Sequence, residues 1–224
     1  MGFFGKLKRV ISNSTRGDHD RAKDKIHNPE TDSSAISSLP TACIRLEDNL
    51  GLKSTGRCSI CVKNVDTEAF KEMKQYVDNF LNVASDKKDI AFDISFHSLV
   101  DDYGYLWFIL EGKEMADIVA ALDAVGDTIH EKGFSNQLLA AAFEFTSGYG
   151  SNTSDTSYNK QYLIYNYKLD KFYPFVPIAS ANTGSETNKR DNGQEMKIMK
   201  EIEAEIPFEK DLSLWYPIWN IPIK

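Results

Sequence analysis

Three cysteines, four histidines and two short runs of carboxylates are the residues best suited to chemistry in this chain. Cys58-Ser59-Ile60-Cys61 has the C-x-x-C spacing of redox and zinc sites. The surrounding RCSICVKN reads as a strand, however, and strand residues three apart point to opposite faces, so the two sulfurs do not converge. A structural zinc needs about four ligands, and Cys43 is the only other cysteine. A reactive thiol in a C-x-x-C pair sits at a helix N-terminus, which lowers its pKa. Buried structural cysteines are therefore expected. Asp93, Ser95 and His97 are the residue types of a hydrolase triad, but all three fall on one face of one strand. Triads draw on several elements, and no G-x-S-x-G elbow is present. They are expected to form a polar sheet face. Asp101 and Asp102 precede Tyr103-Gly104, where turn chemistry explains carboxylates. His130 closes a helix, where its charged form complements the dipole. His19, between Asp18 and Asp20, and His27 lie in a solvated charge run. No glycine-rich phosphate loop occurs. The expectation is no catalytic residue, no cofactor site and no metal site.

The elements that would position such groups can be read from periodicity. With 224 residues, 42% hydrophobic and 26% charged, the chain has the composition of an ordinary globular protein. Its odd number of cysteines argues against a disulfide framework. No run approaches the roughly 20 apolar residues of a membrane-spanning helix, and the start lacks a secretory signal pattern. A cytoplasmic location is expected.

Residues 1–12 (MGFFGKLKRVIS) read as a short basic amphipathic helix. Phe3, Phe4, Leu7, Val10 and Ile11 cover about a third of the helical circle, and Lys6, Lys8 and Arg9 lie outside that arc. Such a segment suits a membrane interface or a docking partner, and equally a frayed terminus, since so short a helix is marginal alone. Residues 13–39 are rich in charge, Ser and Asp and read as a disordered linker. A single domain is expected over residues 40–222. Residues 41–224 carry 19 basic and 28 acidic residues, a balance of −9. An RNA-binding sheet wants basic residues around its aromatics, and the −9 balance of the body argues against a nucleic-acid partner.

Within the domain, 57–64 read as a strand, and Asp66 offers a cap to a helix carrying Phe70, Met73, Val77, Phe80, Leu81 and Ala84. Residues 91–100 alternate as a half-buried strand, and 105–111 (YLWFILE) are apolar on both faces, as a central strand requires. Residues 114–131 return to helical period, with Gly133 placed to end the helix. Residues 138–146 read as a fourth strand, although the alanine run also fits a helix. The order is strand, helix, strand, strand, helix, strand, so the fold class is α+β. Specifically, it is a ferredoxin-like βαββαβ sandwich extended by a C-terminal β-hairpin (161–167 and 172–176) and a short helix (194–204). Pro174 and Pro177 place the second hairpin strand at an edge. The aromatics Tyr162, Tyr165, Tyr167, Phe172, Tyr173 and Phe175 read as core with part lining an interface. Trp215, Tyr216 and Trp219 must be buried on the body or on a partner.

Several segments, taken in order, resemble the PspA-associated protein PspAB family. They are MGFFGKL, Asp102-Tyr103-Gly104-Tyr105, Gly133-Phe134 with Gln137-Leu138-Leu139, and Tyr165-Asn166-Tyr167 followed by Phe172-Tyr173-Pro174-Phe175. Next come Arg190-Asp191-Asn192 with Glu195, and then the tail Glu209-Lys210-Asp211-Leu212 with Trp215-Tyr216-Pro217-Ile218-Trp219. The resemblance covers about residues 40–222 and the first few; the long polar linker and residues 147–160 depart from it. It implies a cytoplasmic accessory, peripheral at the inner face of the membrane, to PspA-type proteins that bind and remodel membranes under envelope stress. It brings no catalytic residues. Arg190, Asp191, Asn192 and Glu195 match a family motif of unknown role, which reads physically as a helix cap and an ion pair. The leading expectation is a non-enzymatic adaptor that meets a PspA-like protein through Trp215, Tyr216 and Trp219 or the edge hairpin, and the membrane through Phe3, Phe4, Lys6, Leu7, Lys8 and Arg9. The alternatives are a small-ligand sensor, or an enzyme of unknown class with a cleft joining His97, Asp101, Asp102 or the Arg190–Glu195 group.

Overall fold

The structure, a computed structural model, describes residues 35–84, 93–147, 160–178 and 189–223. The amphipathic segment 1–12 and most of the linker lie outside the described residues. Residues 35–39 of that linker do not: a 3-10 turn, Ala35–Ser38, leads into helix α1, Leu39–Leu50, and Ile36 and Leu39 are buried. Pro40 in the first turn suits a helix start, and Gly51 at φ 64° closes the helix, its N–H donating to the Leu46 and Glu47 carbonyls. Periodicity missed α1 because its buried positions Leu39, Ala42 and Leu46 are few and small.

The remaining elements are β1 (Leu52–Lys63), α2 (Glu68–Ala84), β2 (Ile94–Val100), β3 (Tyr105–Gly112), α3 (Met115–Glu131), β4 (Leu138–Ser147), β5 (Lys160–Asn166), β6 (Lys171–Phe175), the two-residue strands β7 (Pro177–Ile178) and β8 (Lys189–Arg190), and α4 (Asn192–Ile202). The main sheet is six-stranded in the order β2-β3-β1-β4-β5-β6, and every pairing in it is antiparallel. Its first four strands have the order of a split βαββαβ unit, and the β5–β6 hairpin extends that sheet beyond β4. The fold is therefore the expected α+β, ferredoxin-like one, and the alanine run Ala140–Ala142 is strand.

Alternation sorts the side chains onto two faces. Cys58, Ile60 and Val62 of β1, Phe108 of β3, Phe143 of β4 and Leu163 of β5 pack with Phe70, Met73 and Val77 of α2, Leu122 and Val125 of α3, and Ile198 and Ile202 of α4. The opposite face carries Cys61, Trp107, Ile109, Ala140, Ala142, Ile164, Tyr173 and Phe175, and there the chain's own tail forms the cover with Trp215, Ile221 and Ile223. β3 is buried on both faces because each face has its own layer.

Two local differences from the sequence reading have physical causes. The cap of α2 comes from Thr67, whose Oγ1 accepts the Phe70 N–H at 3.3 Å, whereas Asp66 is exposed and pairs with Lys71 at 3.2 Å. β1 begins five residues earlier than 57 because a register shift between Ser54 and Cys58 lets it continue along β4. Gly56 makes that bulge possible: at φ +74° a Cβ would stand 2.3 Å from the Gly112 carbonyl oxygen. Gly56→Ala is thus expected to destabilise the protein by about 2 kcal/mol or more, since strained backbone and a steric clash combine there. Chemical denaturation measures it, and a loss below about 0.5 kcal/mol would show that the bulge relaxes freely.

Candidate functional site

The residues that looked chemical are placed apart. Cys58 belongs to the helix-facing core and Cys61 to the opposite one. Burial pushes the Cys43 and Cys61 thiols up to about 12, and Cys58 higher still. Among the described residues no cluster of three or more His, Cys, Asp or Glu side chains could hold a metal ion. Native protein at pH 8 is accordingly expected to react with Ellman's reagent at none of its three cysteines on a minutes scale, and at all three once unfolded. A fast native thiol would contradict this burial. Ser95 and His97 are exposed on β2, and Asp93 pairs with Lys113 at 3.1 Å. Asp101 organises its turn, accepting the Tyr103 and Tyr105 N–H groups at 2.9 Å and the Trp107 indole N–H at 2.7 Å.

The Arg190–Glu195 motif builds a clasp. Asp191 caps α4 by accepting the Gln194 N–H at 2.9 Å, and its own N–H donates to the Val176 carbonyl at 2.8 Å. Asn192 is the first, exposed residue of the helix. Glu195 is 1% exposed and accepts from Arg190 Nε at 2.8 and 3.0 Å and from the Val176 N–H at 2.9 Å. Burial pushes its carboxyl above the ordinary value, opposed by the Arg190 guanidinium and the Val176 N–H. The remaining guanidinium nitrogens donate to the Trp215 carbonyl at 2.7 Å and the Pro174 carbonyl at 3.3 Å. One arginine therefore joins β6, β8, α4 and the tail.

That clasp fixes the aromatic tail. Trp215 is 5% exposed and its indole N–H donates to the Glu209 carbonyl at 3.0 Å, so it is a strut of the fold and presents no face to a partner. Trp219 is half-buried, edge-on to Phe175 at 5.0 Å between ring centroids. The Glu209 carboxyl is held below its ordinary value by the Asp211 N–H and by Lys171. Tyr216 alone of the three aromatics is exposed, at 55%, and its backbone carbonyl accepts the Tyr173 hydroxyl at 2.9 Å.

Tyr216 and Ile218 form one side of a groove of about 940 Å³. Asp123, Asp127 and His130 of α3 line another side, with Leu138 and Leu139 of β4 and Tyr167 and Lys168 after β5. His130 Nδ1 lies 2.6 Å from Ser135 Oγ. The Tyr167 ring packs on Gly126, where its Cε1 would lie 3.7 Å from an added Cβ. The Tyr167 hydroxyl is buried without a hydrogen-bond partner among the described residues. Burial, then the neighbouring Tyr165 and Asp123, raises its pKa well above the ordinary value, so it stays neutral. None of His97, Asp101, Asp102, Arg190 and Glu195 lines this groove. The sequence reading missed it. Asp123, Asp127 and His130 fall on one helical stripe, i, i+4 and i+7, but nothing in the spacing shows which loop faces that stripe.

Among the described residues no helix is long and apolar enough to cross a membrane. A family model described as PspA associated protein B matches residues 19–223. No curated protein and no solved structure matches the chain.

Proposed function

The chain belongs to the PspA associated protein B family, and from that premise we propose that it is a non-enzymatic adaptor of a PspA-type membrane-stress response. It meets a PspA-like membrane-remodelling protein through the tail side of the groove. Phe3, Phe4, Lys6, Leu7, Lys8 and Arg9 add a weak hold on anionic lipid at the inner face of the membrane. The observation that supports this reading is the division of labour in the tail. Arg190, Glu195 and Trp215 spend their polar groups inside the fold, and the surface they hold in place carries Tyr216, exposed, beside Ile218. An aromatic residue with a polar tip, backed by a fixed wall, is the usual anchor of a protein contact.

The test is capture of the full chain by its cognate PspA-like protein, with and without anionic vesicles. Tyr216→Ala is expected to weaken capture about tenfold or more, the loss typical of a central aromatic contact, with an unchanged unfolding midpoint. Full capture by Tyr216→Ala would remove the groove from the reading. Failure of the parent chain to bind in either condition would remove the adaptor role itself.

A further inference from the structure

The sheet ends in two edge strands, and the chain treats them differently. β6 is sealed by the tail: the Phe172 N–H donates to the Pro207 carbonyl at 2.8 Å and the Glu209 N–H to the Phe172 carbonyl at 2.9 Å, making a parallel bridge between Phe172 and Phe208. The expected edge hairpin therefore has no open ladder there to offer. Among the described residues β2, at the other end, pairs only with β3. The Asp101 N–H donates to the Tyr105 carbonyl at 2.9 Å, so Asp101 and Tyr105 are a hydrogen-bonded pair. Antiparallel ladders alternate between bonded and non-bonded pairs. Leu99, His97 and Ser95 thus bond to β3, while Ile94, Phe96, Ser98 and Val100 direct their N–H and C=O groups away from the sheet. Among the described residues no strand takes those groups up.

Proteins blunt such an edge with charge, proline, a bulge or a cover, because an open row of donors and acceptors is a template for another chain. The stretch Ile94-Ser95-Phe96-His97-Ser98-Leu99-Val100 holds no Lys, Arg, Asp, Glu or Pro. Its register with β3 runs without a shift from Ile94↔Gly112 to Val100↔Leu106. Val100 is 52% exposed, and Tyr103 just beyond it is 79% exposed. We propose that β2 is a docking edge that takes up, as an added strand, an extended segment of a partner protein whose apolar run is flanked by basic residues.

The flanks select that occupant. Asp93, which shares its carboxylate with the exposed Lys113 at 3.1 Å, precedes the strand, and Asp101 and Asp102 follow it. A second copy paired antiparallel would set Asp101 and Asp102 of each copy beside Asp93 of the other, and like charges opposed across a ladder are destabilising. The chain's formal charge of −7 adds to that repulsion. A segment with Lys or Arg at each end meets carboxylates instead, while backbone bonds along Ile94–Val100 supply the affinity, as in other strand-addition complexes.

The inference rests on the adaptor reading, with the PspA-like protein as the source of the segment. Amide hydrogen exchange on the full chain tests it. In the free protein the amides of Phe96, Ser98 and Val100 should exchange fast and those of Ser95, His97 and Leu99 slowly. With the cognate PspA-like protein at about 100 times its Kd, the fast set should slow by about 100-fold. Val100→Pro, which deletes one outward N–H and spares the β3 ladder, should weaken capture about fivefold, one hydrogen bond's worth. Val100→Lys, which keeps the N–H and adds an edge charge, serves should the proline variant not fold. A partner that binds without protecting β2 overturns this inference and leaves the adaptor role standing. A partner that does not bind at all overturns both. Protection that grows with the chain's own concentration, without partner, assigns the edge to a second copy and overturns the occupant named here.

Discussion

Arg190→Ala is expected to lower the unfolding free energy by about 3–5 kcal/mol, the penalty for leaving a buried charge without its partner. The Arg190 side chain is only 20% exposed and the Glu195 side chain 1%, so water cannot stand in for the guanidinium. Its loss leaves Glu195 with the Val176 N–H as its remaining short hydrogen bond and deprives the Trp215 and Pro174 carbonyls of a donor. Arg190→Lys keeps the charge but offers one compact head in place of a planar fork, so it should recover only part of the deficit. Replacing both partners, Arg190→Met with Glu195→Leu, should recover more, because no charge is then buried unpaired. The pH dependence carries a definite sign. Burial already raises the folded pKa of Glu195 above its unfolded value, so its ionised form is a liability that grows as pH rises through the folded value. Without Arg190 that value climbs further. The deficit of Arg190→Ala is therefore largest at neutral pH and narrows as pH falls toward the ordinary carboxylate range. Urea titrations at pH 7 and pH 5 measure both effects. A deficit under about 1 kcal/mol at pH 7 would show that the ion pair is dispensable.

The parts of this fold legible in the sequence were those in which one residue pattern has one structural meaning. YLWFILE is apolar on both faces, and β3 is indeed covered on both. The hairpin around Leu169-Asp170 and the helix stop at Gly133 follow from local turn chemistry, with Gly133 at φ +82° and Asp170 at φ 52°. What could not be read depends on contacts between distant segments. α1 buries only a narrow stripe, so its periodicity is faint. The bulge at Gly56 answers to a carbonyl 56 residues away, that of Gly112. The groove joins α3, the start of β4, the end of β5 and the tail, and no single stretch announces it. The tail illustrates the limit best. Its aromatics had to be covered by something, but composition alone does not distinguish Trp215, which is buried in the second core, from Tyr216, which is exposed.

Trp215→Ala is expected to cost about 3–5 kcal/mol, as removal of a large buried aromatic does. Trp215 is 5% exposed in the second core, packed in one cluster with Trp107, Ile109, Tyr173 and Phe175, and such a close-packed layer relaxes only partly into the space a removed indole leaves. The variant also strands the Glu209 carbonyl, which accepts the indole N–H. Trp215→Phe separates the two contributions. It keeps most of the ring but not the donor, and should lose about 1–2 kcal/mol, near the cost of one buried unpaired carbonyl plus the lost volume. Loosening must then spread along the tail, because the Trp215 carbonyl is held by Arg190 and the next residue is Tyr216. Trypsin cleavage after exposed Lys210 should accelerate in Trp215→Ala at concentrations of urea that leave the parent intact, and capture by the PspA-like protein should fall with it. Tyr216→Ala should weaken capture without either the stability loss or the faster cleavage. If Trp215→Ala instead matched the parent in stability and cleavage, the tail would not be fastened by its tryptophan, and Tyr216 would lack the fixed backing that its contact role requires.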